Sequence, residues 1–275
     1  MRRAVLFYFS GTGNTQFVAR LIESGLRSLD GVSVTVSAMD FVARPQVDHY
    51  DTVILGYPVH GYGIPRPVAD FIDRLPRVTG TKLVLFSTFG GLSLGAEKRA
   101  ARLLAAKGFV PIAYCGVKMP HVNPAGVDVT RQPVGKLVSR AESKVRRFCA
   151  DLTHEPKRLG TFSLASAVLG SRLNEFFIAH QLQSFSKNAS VDAACYHCSL
   201  CIRICPTGNI AEVDGAIVFG TKCAQCLRCF YSCPASAIQA GEKTVGARRY
   251  RGPLGDYSGP TRPIDVGAKS LPMTS

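Results

Sequence analysis

The sequence predicts an α/β protein in which a doubly wound parallel sheet is followed by a smaller, cysteine-rich domain. Over residues 1–158, apolar runs of strand length alternate with helical patterns, which is typical of a parallel sheet covered by helices. A loop rich in hydroxyl groups and glycine follows the first apolar run. Eight of the ten cysteines lie between Cys195 and Cys233, in two copies of one spacing pattern. At 275 residues, the chain is long enough for one full domain and one small one.

The first predicted strand leads into a loop suited to binding an anion. Residues 3–9 form an apolar run of the kind found in strands that are buried on both faces. The loop that follows consists of Ser10, Gly11, Thr12, Gly13, Asn14 and Thr15, and a helical pattern begins after it. Glycines let the backbone turn around a phosphate, hydroxyls donate to its oxygens, and the helix start adds amides and a dipole. The loop lacks the lysine of a Walker loop, and Gln16 stands where a dinucleotide-binding loop has its last glycine.

These residues match the T/S-x-T-G-x-T loop of flavodoxins, so the N-terminal domain resembles that family. The resemblance implies a bound FMN whose phosphate sits at residues 10–15 without a balancing cationic side chain. It also implies a flavodoxin-like five-stranded parallel sheet in the order 2-1-3-4-5. A Ser/Thr-rich helix cap without a chemical role is the alternative interpretation of the same loop.

Four further segments predict the remaining strands. Residues 52–55 and 82–86 are short and almost wholly apolar, as expected of central strands. Residues 32–36 alternate between valine and polar side chains, and residues 109–115 contain Pro111, which a central strand would not tolerate. The second and fifth strands therefore have the features of edge strands, and the order 2-1-3-4-5 places them at the edges.

Two more loops are predicted to meet the phosphate loop, because ligands of such sheets lie beyond the carboxyl ends of the strands. By the flavodoxin resemblance, these loops flank the isoalloxazine ring, where aromatic side chains stack on the ring and glycines let peptide groups reach its polar edge. The candidate residues are Tyr57, Pro58, Gly61, Tyr62, Gly63, Thr88, Phe89, Gly90 and Gly91. Exposed aromatic turns without a ligand are the alternative. The chain has no tryptophan, which is a frequent ring-stacking residue of flavodoxins.

The cysteine-rich region is a tandem repeat. Each half reads C-x2-C-x2-C-x3-C-P, and the second half repeats the first 28 positions later. The cysteines are Cys195, Cys198, Cys201, Cys205, Cys223, Cys226, Cys229 and Cys233. Because only the cysteines and the proline keep their register, the pattern indicates a bound inorganic group, and iron is favoured. Zinc is the less economical alternative because its sites are usually built from pairs of cysteines, and disulfides require an oxidising compartment.

Residues 191–239 resemble bacterial ferredoxins with two [4Fe-4S] clusters. In that pattern each triplet of cysteines closes with the fourth cysteine of the other half. The expected ligand sets are Cys195, Cys198, Cys201 with Cys233, and Cys223, Cys226, Cys229 with Cys205. The resemblance further implies two paired strands around the clusters, a short helix after each Cys-Pro pair, and one-electron transfer. The other two cysteines, Cys115 and Cys149, fall on apolar faces and are predicted to be buried structural thiols.

Composition divides the chain into four regions. We predict a flavodoxin-like domain over residues 1–158, a helical linker over 159–188, a two-cluster α+β domain over 189–241 and a disordered basic tail over 242–275. The linker carries apolar residues at near-helical spacing, and association of two chains through it is left open. The tail is rich in Gly, Pro and Arg and has no apolar period.

Charge and hydropathy limit the partners. The formal net charge is +14, and the protein stays basic after two clusters (about −4) and a flavin phosphate (about −2) are added, which favours acidic partners. Nucleic acid is disfavoured because the Lys and Arg residues are scattered. No apolar run reaches the length of a membrane span, and the short apolar start lacks the cleavage site of a signal peptide. A cytoplasmic location, where thiolates stay reduced, is therefore predicted.

The whole pattern resembles a family of bacterial and archaeal proteins in which a flavodoxin-like domain is fused to a two-cluster ferredoxin. The resemblance implies an electron-transfer protein that relays electrons between two [4Fe-4S] clusters and FMN and serves a partner oxidoreductase. The alternatives are a flavin-dependent reductase of a small acceptor, and a ferredoxin with a flavin-free docking domain. The sequence shows no set of acid, base and oxyanion groups around the predicted ring site, which favours the carrier over the enzyme.

Overall fold

A computed structural model describes residues 1–122, 128–152, 172–174 and 184–260 of the chain. The predicted domain boundary at residues 158 and 159, most of the predicted linker and residues 261–275 lie outside these ranges. None of the helices in the described ranges is long and apolar enough to cross a membrane.

Five parallel strands form the central sheet of the N-terminal part. They are β1 (Arg3–Tyr8), β2 (Ser33–Ala38), β3 (Thr52–Pro58), β4 (Lys82–Phe89) and β5 (Val110–Lys118). Their order in the sheet is β2-β1-β3-β4-β5, and every pairing is parallel. The predicted strand order is therefore confirmed, including the edge positions of β2 and β5. Strands β1, β3 and β4 are almost wholly buried, as their continuous apolar runs predict.

The edge strand β5 accommodates its proline through a change of register. Leu83 pairs with Pro111, whereas the next residue, Val84, pairs with Ala113, so one residue of β5 is left over. Because proline has no N–H to donate to a neighbouring strand, an irregular edge position is where it is tolerated.

Four helices cover the two faces of the sheet. They are α1 (Asn14–Arg27), α2 (Arg66–Arg74), α3 (Ala96–Ala105) and α4 (Val134–Asp151). Successive residues of a strand point to opposite faces, so Leu6 of β1 packs under α1 and α4 while Phe7 packs under α2 and α3. The carboxyl ends of all five strands meet at one edge of the sheet, which is where the three predicted loops lie.

The C-terminal part is a small α+β unit. Its elements are α5 (Ser184–Asn188), β6 (Ala189–Val191), α6 (Leu200–Arg203), β7 (Ile210–Val213), β8 (Ala216–Phe219), α7 (Arg228–Ser232) and β9 (Ile238–Ala240). Strand β6 pairs antiparallel with β9, and β7 and β8 form a hairpin. The short helices α6 and α7 precede the two Cys-Pro pairs, so the expectation of helices after these pairs is wrong.

Residues 242–260, which the sequence assigns to a disordered tail, pack on the rest of the protein. Tyr250 and Tyr257 are buried, and the Arg249 guanidinium lies 3.6 Å from the centroid of the Phe230 ring. Arg251 donates to two carbonyl groups at the end of α7. Two tyrosines supply apolar area without any periodic pattern, so the composition gave no signal of this packing. We call residues 250–260 the strap.

Candidate functional site

The loop between β1 and α1 is buried at the carboxyl edge of the sheet. Ser10, Thr12 and Thr15 are only 3%, 7% and 1% exposed. Gly13 precedes α1 with a left-handed backbone, φ 89°. No side chain caps α1, and the first turn of this fully described helix has no acidic residue. The positive end of its dipole therefore faces the loop without compensation, which suits an anion.

Hydrogen bonds fix the shape of this loop. The N–H of Gly13 donates to Ser10 Oγ at 3.1 Å. The hydroxyls of Thr15 and Thr88 are 2.8 Å apart, which joins the loop of residues 10–15 to the end of β4. Asn14 Nδ2 donates to a carbonyl group beyond β5 at 3.0 Å. The loop after β1, the end of β4 and the loop after β5 are thereby held together, as expected for strands that end at one edge.

Several backbone donors of the loop remain without a partner. Within the described residues, the N–H groups of Thr12, Asn14, Thr15 and Gln16 have no protein acceptor. Buried backbone donors are nearly always paired, with protein or with another group. The loop thus offers four amides and a helix N-terminus to an anion, so its residues fit the phosphate of a flavin nucleotide.

The aromatic residue Tyr57 does not reach a ligand at this edge. Strand β3 extends to Pro58, and Tyr57 is completely buried between the sheet and helices α2 and α3. Its hydroxyl donates to the carbonyl of Ala96 at 3.4 Å, and burial raises its pKa well above the usual value, with Glu97 adding to the rise. The prediction that Tyr57 lines the ring is wrong, because a side chain without exposed surface cannot contact a ligand.

Tyr62 and Phe89 stay at the carboxyl edge and are partly buried. Tyr62 has a left-handed backbone (φ 65°) in a turn that His60 and Gly63 close with reciprocal N–H to carbonyl bonds of 3.1 and 2.8 Å. Phe89 is the last residue of β4. Burial lowers the pKa of His60 to about 4, so at neutral pH this turn presents a neutral imidazole.

Asn174 organises the loop after β3, and sequence reasoning missed it. Its Nδ2 donates to the carbonyl of Gly61 at 2.8 Å, and its Oδ1 accepts from Arg99 at 2.7 Å. A Cβ on Gly63 would overlap the Asn174 amide, so glycine is needed there. Asn174 has no motif around it and lies 113 positions from Gly61, so the sequence carries no signal of this contact.

The predicted residues Pro58 and Gly91 lie at the same edge of the sheet. Gly90 packs against His121 in the loop after β5, where a Cβ on Gly90 would overlap the His121 side chain.

Electrostatic interactions divide the eight repeat cysteines into two groups. The groups consist of Cys195, Cys198, Cys201 and Cys233, and of Cys205, Cys223, Cys226 and Cys229. Burial raises the pKa of the Cys201 thiol, and charges on the other three members of its group raise it further. Burial likewise raises the pKa of Cys229 well above its usual value, with the rest of its own group adding to the rise. Each group therefore combines one triplet with the fourth cysteine of the other half.

The sequence repeat is also a repeat of backbone conformation. Left-handed residues recur 28 positions apart at His197 and Gln225 and at Ser199 and Leu227, with φ between 52° and 60°. Non-glycine residues seldom adopt this conformation, and they cluster where a bound group or a functional site imposes it. A third pair, Gly208 and Ser236, follows the same spacing.

Backbone N–H groups point at the cysteine sulfurs. The N–H of Asn209 donates to Cys205 Sγ at 3.2 Å, and the N–H of Ala237 donates to Cys233 Sγ at 3.3 Å. These two bonds are again 28 positions apart. Within the described ranges, no three or more His, Cys, Asp or Glu side chains are arranged to hold a metal ion.

The C-terminal unit and the strap pack directly on the phosphate loop. A Cβ on Gly11 would overlap the backbone carbonyl of Cys226. The hydroxyl of Tyr257 donates to the Ser10 carbonyl at 2.8 Å, and the hydroxyl of Tyr250 donates to Asn14 Oδ1 at 2.7 Å. The second cysteine group is therefore the one that borders the N-terminal domain.

The two cysteines outside the repeat are buried among apolar side chains of α1, β5 and α4. Burial raises the pKa of Cys115 to about 11 and that of Cys149 to about 12, with Cys115 contributing to the shift of Cys149. They are thiols at neutral pH and lie far from the repeat in sequence, as predicted for structural cysteines.

Comparison with known proteins gives one family and a set of similar folds. A family model described as a flavodoxin domain matches residues 5–176. A search of curated proteins finds no match. An archaeal flavodoxin is 19% identical, covers 55% of this chain and 99% of its own, and has a TM-score of 0.41. Two-electron reduced Megasphaera elsdenii flavodoxin is 26% identical over 51% of this chain and 98% of its own (TM-score 0.40), and oxidised Flavodoxin 2 from Bacillus cereus is 20% identical over 55% and 97% (TM-score 0.43).

Proposed function

The chain belongs to the flavodoxin domain family, and we propose that it is an electron-transfer protein that carries FMN and two [4Fe-4S] clusters. FMN would be held at the carboxyl edge of the sheet, and the clusters would be held by the eight repeat cysteines. When bound, FMN exchanges one or two electrons and each cluster exchanges one, so the two kinds of group together split or assemble an electron pair.

One observation supports the cluster assignment: the thiols interact electrostatically in the two crossed sets that two cubanes require. Each of the four ligands of a cubane binds a different iron atom, so they need not converge on one point as the ligands of a single ion do. The backbone N–H groups that donate to Cys205 and Cys233 suit thiolate sulfurs that carry negative charge. The repeated left-handed residues support the same assignment, because each triplet has to wrap one rigid object.

The flavin assignment rests on the loop after β1. Its four unpartnered amides, the uncapped start of α1 and the hydroxyl of Ser10 are the groups that would bind the phosphate. Tyr62 and Phe89 are the aromatic side chains placed to border the ring. The burial of Tyr57 leaves this ring site with fewer aromatic contacts than the sequence predicts.

A second candidate function is a ferredoxin whose first domain serves only for docking. The packing of Cys226 and Tyr257 on residues 10–13 favours it, because that packing covers the loop from the C-terminal side. The unpartnered amides favour the flavin protein, since burying several unpaired N–H groups costs about 1–3 kcal/mol each unless an anion or water pairs with them.

The partner we propose is an acidic oxidoreductase of the same compartment. The net charge of +14 favours association with a negatively charged surface. The cytoplasmic location and the association of two chains through residues 159–188 are part of the same proposal, supported by the reduced thiols that clusters need and by the apolar spacing of the linker.

The test is the spectrum of protein purified and reconstituted without oxygen. We expect broad iron-sulfur absorbance that bleaches with dithionite, and one FMN per chain released by acid. Replacing Cys233 by serine should alter the electron paramagnetic resonance signal of the cluster bound by the first triplet and spare the other, and Cys205→Ser should do the reverse. Clusters without extractable flavin would favour the second candidate, a ferredoxin whose first domain serves only for docking. Serine variants that damage the cluster of their own half would contradict the crossed ligand sets.

A further inference from the structure

Arg228 is the largest completely buried side chain in the described part of the protein. It begins α7 between two cysteines of the second group, Cys226 and Cys229, and it is 1% exposed. A buried guanidinium is strongly destabilising unless all its N–H groups are paired and its charge is balanced. Its partners therefore identify what the residue holds in place.

The five N–H groups of Arg228 are all satisfied, and each partner lies outside the second cysteine triplet. Nε and one terminal nitrogen donate to the carbonyl of Ser10 at 3.2 and 2.8 Å. The two terminal nitrogens bind the Asp40 carboxylate in a fork at 2.6 and 3.1 Å. The remaining N–H donates to the carbonyl of Ile204 at 2.9 Å, and the guanidinium lies 5.0 Å from the centroid of the Phe9 ring.

These contacts join the second cysteine group to the phosphate loop. Ile204 precedes Cys205, so Arg228 ties together the two chain segments that supply the group of Cys205, Cys223, Cys226 and Cys229. Ser10 is the first residue of the phosphate loop, and Asp40 follows β2. The backbone of Cys226 packs against Gly11 beside this contact. One side chain thus fixes the distance between a cysteine group and the loop.

Within the described residues, no completely buried arginine lies at the first cysteine group, since Arg251, which donates to the carbonyl of Cys233, is partly exposed. The position 28 residues before Arg228 is Leu200, which is apolar and partly exposed. The arginine of the first motif, Arg203, is exposed and donates to the carbonyl of Cys198 within its own motif. Tyr196, next to Cys195, is 62% exposed. The two halves of the repeat are equivalent in their cysteines and different in their surroundings.

We propose that Arg228 is a positioning residue that seats the cluster of the second group on the phosphate loop and sets that cluster's reduction potential apart from the other's. The proposal rests on the proposed function. The second cluster is then the one that faces the flavin, and the cluster of the first group is the one that faces the partner.

The charges of the pair predict the sign of the effect. Arg228 lies between Cys226 and Cys229 in the chain, and its charge interacts with the Cys226 thiol, so Arg228 adds positive charge near the second cluster that Asp40 partly balances. Positive charge near a cluster raises its potential. Removing it by Arg228→Leu, which makes the second motif match the first, should lower the potential of one cluster. Asp40→Asn, which leaves the guanidinium unbalanced, should raise the potential of the same cluster.

The experiment combines redox titration by electron paramagnetic resonance with amide hydrogen exchange of residues 10–16. In R228L we expect a lowered potential for one cluster only, and exchange at the loop faster by more than about tenfold, since removing one partner of a buried charge pair is strongly destabilising. R228K keeps the positive charge but cannot bind the Asp40 carboxylate with two parallel hydrogen bonds. We therefore expect R228K to have a cluster potential close to that of the wild type and amide exchange at residues 10–16 that is still faster. R203L is the matched control for removing an arginine from a cysteine motif, and it should leave the loop and the second cluster unchanged.

The proposal would be overturned by unchanged exchange and potentials in R228L, by equal shifts of both clusters, or by shifts of the same sign in R228L and D40N. Faster exchange without any change of potential would reduce Arg228 to a structural contact and would also overturn it. Failure of the proposed function is distinguishable, because it would show as wild-type protein without acid-labile sulfide. The exchange experiment alone would then decide whether Arg228 docks the two parts.

Discussion

The contact between the strap and the phosphate loop is tested most sharply at Gly13. In Gly13→Ala, the added Cβ would lie 3.0 Å from the Cα of Gly252 and from Cβ and Cγ of Tyr257, tighter than the 3.4 Å where ordinary contact begins. The neighbours have to move by a few tenths of an ångström, and overpacking of this kind costs about 1–3 kcal/mol. The left-handed backbone at φ 89° adds about 1–2 kcal/mol of strain for any residue with a Cβ.

Gly31→Ala is the matched control for the strain. Gly31 also has a positive φ, 71°, and a Cβ there would meet nothing within 4 Å. The free energy of unfolding, from urea titration of the two variants, should fall by about 1–3 kcal/mol more in Gly13→Ala than in Gly31→Ala. The excess should shrink when the chain is ended after Arg249, because the strap is then gone and the position of Gly13 at the start of α1 is unchanged. Equal destabilisation of the two variants, or an excess that survives truncation, would refute the packing described for the strap.

Further predictions concern the strap, the two buried thiols and Asp51, whose carboxylate binds the backbone near the N-terminus. Tyr250→Phe should lower the free energy of unfolding in urea by about 1–3 kcal/mol, because it leaves the buried Asn14 Oδ1 without its donor. Tyr257→Phe should lower it by only about 0.5–1 kcal/mol, because Arg228 still donates to the Ser10 carbonyl. A larger loss in Tyr257→Phe than in Tyr250→Phe would contradict these contacts. Iodoacetamide at pH 8 should label Cys115 and Cys149 only after unfolding, because a pKa of about 11 leaves about one thiolate in a thousand; rapid labelling of the folded protein would disprove their burial. The Asp51 carboxylate accepts hydrogen bonds from the backbone N–H groups of Arg2 and Arg3, both at 2.8 Å. Burial raises the pKa of Asp51, but hydrogen bonds from Thr52, Arg3 and Arg2 outweigh burial, so the pKa lies below its usual value of 3.8. Its ionised form therefore stabilises the protein above that pH, and the stability difference between wild type and Asp51→Asn should vanish as pH falls through the folded pKa; a difference that persists in acid would rule out this origin.

The sheet and the position of the loop of residues 10–15 could be predicted because their signals are local. A buried parallel strand reads as a continuous apolar run, and the loop of residues 10–15 directly follows one such run. The crossed pairing of the cysteine triplets follows from the spacing of the repeat and stays a prediction until the bound group is measured. For the sheet and the loop, a few neighbouring residues contain the whole signal.

The errors and omissions come from contacts between distant parts of the chain. The apolar run in the sequence ends at residue 55 and predicts a loop at Tyr57, whereas β3 continues to Pro58 and turns Tyr57 into the core. Arg228 and Tyr257 reach Ser10 across 218 and 247 positions. No periodicity or motif encodes such a contact, because a single arginine or tyrosine has the same local pattern on a surface as in a junction. The composition of the strap likewise predicts disorder, since its burial depends on two isolated tyrosines.

The most direct test of the account is the iron and acid-labile sulfide content of protein purified and reconstituted without oxygen. Two cubanes held by the two cysteine groups predict about eight iron atoms and about eight sulfides per chain. Stoichiometric zinc, or iron without sulfide, would contradict the assignment of the repeat to redox clusters.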